Sequence, residues 1–107
     1  MEDLSPQCAR MATGFSGGLG DTREELCGAL SGGVMVIGAV HGRSSRDEDD
    51  KPAIERAEAY RGGFLERFGH VQCRKLRDEV VNVPGGLNSC GALVAEAALL
   101  LMSLLED

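Results

Sequence analysis

The chain has 107 residues, enough for one modest hydrophobic core, and 43% of them are hydrophobic. Eleven basic against seventeen acidic residues give a net charge of −6, which excludes nucleic-acid binding because phosphate contacts need clustered Lys and Arg. The N-terminus lacks the basic start and apolar core of a secretory signal. The most apolar stretch, Ala92–Leu105, is broken by Glu96 and Ser103 and is too short to span a bilayer, so the expectation is a cytoplasmic protein with no membrane partner.

Residues 5–15 predict a short helix, with Ser5 as N-cap and Pro6 at the first helical position. Such a brief element leaves one flank of the core uncovered unless a second copy covers it, which predicts a homodimer. A glycine-rich turn (Gly17, Gly18, Gly20) then leads into a central helix over about 22–41. Asp21 and Thr22, each three residues before Glu24 or Glu25, supply capping-box pairs for its start. Cys27 falls in the second turn of that helix. Gly28 and Gly32 lie four apart on one face, as do Ala29 and Gly33, a spacing that lets a backbone or a ligand come close. Each helix-interior glycine costs roughly 1 kcal/mol against alanine, so Gly28 and Gly32 are candidates to line a cofactor.

Residues 43–50 read as a solvated charged connector. Residues 51–69 predict a second long helix, with Pro52 near its start, Gly69 as its stop, and Ile54, Ala57, Arg61, Phe64, Leu65 and Phe68 at helical spacing. A short helical turn over about 71–77 holds Cys73 among Arg74, Lys75 and Arg77, cations that favour thiolate over thiol. His70 precedes it by three residues, where a capping or surface role outweighs a ligand role. Asn82–Asn88 is a Pro-Gly-Gly loop. A last helix spans about 88–105, capped by Asn88 or Ser89, with Cys90 in its first turn and Cys90, Val94, Ala97, Leu101 and Leu104 along one stripe. No strand-like alternation occurs. The fold class is all-α: one domain, a small bundle of about four helices joined by short helical turns.

Four cysteines in a reducing compartment argue against stable structural disulfides. No C-x-x-C pair is present, so any joint site is assembled by folding. Thiolates bind iron–sulfur clusters and soft metals and are also the reactive form in disulfide exchange. The bland alternative is that each cysteine is a small buried hydrophobe. A further candidate is the Gly17–Gly20 turn, whose amides could cradle an anion, although no Walker lysine or preceding strand supports a nucleotide.

Ala12-Thr-Gly-Phe-Ser-Gly-Gly-Leu-Gly20, Cys27-Gly-Ala-Leu-Ser-Gly32, Gly33-Val-Met-Val-Ile-Gly38 and His41-Gly42 together resemble the C_GCAxxG_C_C family. Its members are small redox-active proteins with a CGAxxG motif and four characteristic cysteines. Phe68-Gly-His-Val-Gln-Cys-Arg74 resembles the family's later FG-x-x-x-CR segment, and Cys90 its last cysteine. The resemblance covers roughly residues 10–105. It implies an all-helical fold and redox chemistry through cysteines or an iron–sulfur cluster. A related domain occurs in the split-Soret cytochrome, but this chain has no C-x-x-C-H haem attachment. The resemblance also implies a further helix bearing the first cysteine, ahead of where this chain starts.

The expectation from these readings is a redox site of Cys27, Cys73 and Cys90, with Cys8 as a fourth metal ligand, serving a redox partner protein. The alternative is a non-catalytic helical dimerisation or interaction module whose cysteines are structural.

Overall fold

A computed structural model describes residues 5–106, apart from the side chain of Ala9. Five α-helices make up the fold: α1 (Pro6–Met11), α2 (Gly28–His41), α3 (Lys51–Phe68), α4 (Cys73–Leu76) and α5 (Cys90–Leu105). A 3₁₀ turn (Thr13–Phe15) follows α1, and a π turn (Arg77–Val81) follows α4. The all-α class holds; among the described residues the β pairing is one isolated antiparallel bridge between Leu26 and Gln72. No helix among these residues is long and apolar enough to cross a membrane.

The long helices α2, α3 and α5 pack on one another and enclose the core. Leu30 and Ile37 come from α2, Tyr60, Phe64 and Phe68 from α3, and Leu93 and Ala97 from α5, with Leu76 and Val81 closing one end. Few aromatics are available, and three of the four stack in sequence. Tyr60 and Phe64 meet edge-on with centroids 6.1 Å apart, and Phe64 and Phe68 at 4.7 Å. Their i, i+4, i+8 spacing sets the buried face of α3 through Tyr60, so Ile54, expected on that face, is 58% exposed. The helix runs unbroken through Gly62 and Gly63. A Cβ on Gly63 would touch the Leu100 methyls at 3.1–3.2 Å, so the glycine lets α5 come close. Gly69 ends α3 at φ 79°, its N–H bonded to Leu65 O at 2.7 Å, as expected.

Two expectations are corrected. α2 starts at Gly28, six residues later than the capping boxes imply, because residues 20–27 are committed elsewhere. Gly20, Asp21 and Arg23 take φ between 57° and 65°, which no helix tolerates. The Thr22 hydroxyl donates to Leu19 O and accepts from Glu24 N, a local turn that competes with capping. Glu24 O and Glu25 O accept from Gln72 Nε2 and Cys73 N. On α5, Ser89 is the cap, accepting from Ala92 N at 3.1 Å. The expected stripe holds at Ala97, Leu101 and Leu104, which pack on the core, and shifts in the first turns, where Leu93 is buried while Cys90 and Val94 stay exposed.

Candidate functional site

Cys27 and Cys73 are placed by the Leu26–Gln72 bridge. Cys27 N donates to Val71 O at 2.8 Å, and Cys73 N donates to Glu25 O at 2.9 Å. Side chains alternate across such a ribbon, so both cysteines project to the face opposite Leu26 and Gln72. The ribbon is tied further by Arg74 N on Arg23 O at 2.8 Å and by the ion pair of Arg74 with Glu24. Cys27 is the N-cap of α2, at φ −56° and ψ 138°, with Leu30 N and Ser31 N bonded to its carbonyl. Cys73 opens α4 and is buried; Cys27 is half-buried.

Cys90 arrives by a different route. Leu87 N and Asn88 N donate to Val80 O and Val81 O at 3.1 and 3.0 Å, folding the loop back on the π turn and delivering the start of α5. π turns inside helices recur at functional sites. Here the wider turn sets Arg77 and Val81 in the same wall as Cys90.

The three thiols line one pocket of about 250 Å³, together with Ser16, Gly17, Gly28, Ala29, Leu76, Arg77, Val81, Leu93 and Val94. The walls are mainly apolar and, among the described residues, include no carboxylate side chain. Of the three cations near Cys73 in sequence, only Arg77 lines the pocket: Arg74 is paired with Glu24 and Lys75 is exposed. Burial works against the Arg77 charge, but the Cys73 sulfur, to which the guanidinium donates, outweighs it with help from Cys90 and Asp21. The group is therefore held charged more firmly than usual. Its Nε is buried and has no hydrogen-bond partner.

Burial pushes the Cys27 thiol up, against the backbone amides of Ala29 and Leu30 that favour the thiolate; Cys73 and Cys90 push it further. Desolvation thus wins over the helix start at Cys27. Because the thiolate is the reactive form, Cys27 should be slow towards alkylation at neutral pH. Its rate should climb as pH rises past 9, the ordinary value, measured by mass spectrometry of residue-specific labelling.

Behind Cys27, the Tyr60 hydroxyl donates to Ala29 O at 2.8 Å and fixes the first turn of α2 on α3. Burial raises Tyr60 from 10 to about 12, with Cys27 adding to it. The neutral phenol is favoured in the fold, so its contribution is whole below pH 10 and is lost as pH rises through about 12. The loss should amount to about 3 kcal/mol. Tyr60→Phe should remove this step from the alkaline stability curve while costing about 1 kcal/mol at pH 7, checked by urea unfolding at a series of pH values.

Gly28 lines the pocket, and a Cβ on it would lie 3.1 Å from Phe15 O. Gly32 does not line it; it opens on shallower apolar grooves beside α2 and has free space around it. Cys8 is exposed on α1, where its sulfur accepts from the Ser5 hydroxyl at 3.4 Å, and it lies outside the pocket. His70 pairs with Glu79 at 3.0 Å. In the glycine-rich turn the N–H of Gly20 bonds to Gly14 O, and those of Asp21, Thr22 and Arg23 just after it bond to Ser16 O, Leu19 O and Gly17 O.

Sulfur is the donor that soft metals and iron–sulfur clusters take, and the three pocket thiols match in kind. Among the described residues no three His, Cys, Asp or Glu side chains converge closely enough to hold a metal ion.

Three cysteines far apart in sequence thus line one pocket of a small all-α fold. The family model described as "Putative redox-active protein (C_GCAxxG_C_C)" matches residues 2–104, and the chain belongs to that family. No curated protein and no solved structure matches it.

Proposed function

We propose that Cys27 and Cys73 form a reversible dithiol–disulfide couple in this pocket, with Cys90 as a third thiol at its open side. The observation that carries this reading is the bridged ribbon that sets Cys27 and Cys73 diagonally on one face, both lining the same cavity. Diagonal residues lie about 7–8 Å apart, whereas a disulfide needs Cα atoms about 4.4–6.8 Å apart. Closing the bond draws the ribbon inward, so oxidised and reduced forms differ at the pocket wall. Burial of Cys73 and the raised Cys27 thiol keep the couple from casual oxidation and suit a reducing, cytoplasmic setting with a dedicated redox partner.

Iron–sulfur binding by Cys27, Cys73 and Cys90 is the second reading, supported by the all-sulfur donor set around one cavity. A cluster, when bound, would supply one-electron transfer. Homodimerisation remains part of the proposal, supported by exposed Val34 and Met35 on α2 and Leu99 and Met102 on α5.

Serine variants test the couple. Cys27→Ser and Cys73→Ser should each abolish the two-electron thiol couple, whereas Cys8→Ser should leave it intact, read by thiol counting across a graded thiol redox buffer. A couple that survives in Cys27→Ser would overturn the assignment.

A further inference from the structure

We propose that the pocket selects low-molecular-weight disulfides bearing a carboxylate, with Arg77 as the residue that recognises the charge. This assignment rests on the thiol–disulfide reading of the same site. The protein carries a net charge of −6, so an anion approaching it meets overall repulsion. Inside the pocket the sign is reversed. Among the described residues no carboxylate lines it, and Asp21, whose charge Arg77 feels, is paired with Arg23 at 3.8 Å. Arg77 lines the cavity beside the Cys73 sulfur, with its Nε buried and unpartnered.

The first turns of α2 and α5 add to this, since Gly28, Ala29 and Cys90 all border the cavity and α2 has no side-chain cap. Leu76, Val81 and Leu93 make the remaining walls apolar. A volume of about 250 Å³ admits a small molecule and not a folded protein's disulfide loop. Those features describe a ligand with a short apolar body, one negative charge and a sulfur within reach of Cys27 and Cys73.

The reaction balances without another component. The small disulfide R–S–S–R and the two protein thiols give the Cys27–Cys73 disulfide and two R–SH molecules. One S–S bond breaks and one forms, two electrons pass to the small disulfide, and the two thiol protons leave with the products. Run in reverse, the same chemistry reduces the protein.

The test compares three probes on the reduced full-length protein: 3,3′-dithiodipropionate (anionic), 2-hydroxyethyl disulfide (neutral) and cystamine (cationic). Each rate is divided by that of a free model thiol with the same probe, which removes intrinsic reactivity. The wild type should favour the anionic over the cationic probe by about tenfold, a fraction of the full Coulomb energy of a close charge pair. Arg77→Gln should erase or invert that preference, and Arg77→Lys should restore most of it. A structural role alone would slow all three probes together. Equal normalised rates, or a cationic preference in the wild type, would overturn the role of Arg77 while leaving the thiol couple standing. Failure of every probe to oxidise the wild type would overturn both. The wild-type comparison decides the matter even if Arg77→Gln does not fold.

Discussion

Gly86→Ala should lower stability by about 2–3 kcal/mol and detach Cys90 from the pocket. A Cβ at this position would collide with Val80 O and stand 2.9 Å from Val81 O. Both are main-chain carbonyls of the π turn, so no side-chain rotation relieves the contact. They are also the acceptors for Leu87 N and Asn88 N, the two bonds that bring the chain from the π turn to the start of α5. Pushing Gly86 away stretches those bonds and moves Cys90 with them. Gly85→Ala is the control. It has open space around it but sits at φ 79°, so only conformational strain of about 1–2 kcal/mol is expected. Urea unfolding measures both costs. Oxidised samples should show altered labelling of Cys90 for Gly86→Ala alone.

The second large effect is expected at Gly33, deep between α2 and α3. An alanine Cβ there would overlap the Tyr60 ring, lying 2.7 Å from its Cζ and its hydroxyl oxygen. Tyr60 cannot simply turn aside, because its hydroxyl is bonded to Ala29 O and its ring meets Phe64 edge-on. Gly33→Ala should therefore cost about 3 kcal/mol or more, combining overpacking with a lost hydrogen bond. In combination with Tyr60→Leu, which vacates the space, the two costs should fall short of their sum by at least about 1 kcal/mol. Additive costs would mean that the ring and the glycine do not meet.

The helical class, the stop of α3 at Gly69, the Ser5 cap, the α5 cap to within Asn88 or Ser89, and the loop at Pro84-Gly85-Gly86 were legible because each is decided by local chemistry. The start of α2 was not. Asp21, Thr22, Glu24 and Glu25 have the composition of a capping box, but the carbonyls of Glu24 and Glu25 are used by Gln72 and Cys73, about fifty residues further on. That pairing has no local signature, and it is what moves Cys27 from the second turn to the N-cap.

The same limit applied to the pocket. The CGAxxG motif and the settings of Cys73 and Cys90 marked three thiols, and they line one cavity. Arg77 was visible only as one of three neighbouring cations. Its distance of four residues from Cys73 places it on the same helical face, a cue the sequence offered. Gly32 and Gly33 are indistinguishable by composition, yet only Gly33 is pressed by a ring, because the rotation of α2 is set by its partners. The need for glycine at 86 arises from carbonyls that meet it only after the loop folds back.

The central claim is that Cys27 and Cys73 are partners in one redox couple. The most direct measurement is mass-spectrometric mapping of cysteine pairing on anaerobically purified protein poised across a thiol redox series, with iron and acid-labile sulfide assayed on the same sample. A single reversible disulfide between Cys27 and Cys73, with Cys8 free throughout and no stoichiometric iron, is the predicted result. Thiols that stay free across the series, or matching iron and sulfide lost on substitution of these cysteines, would contradict it.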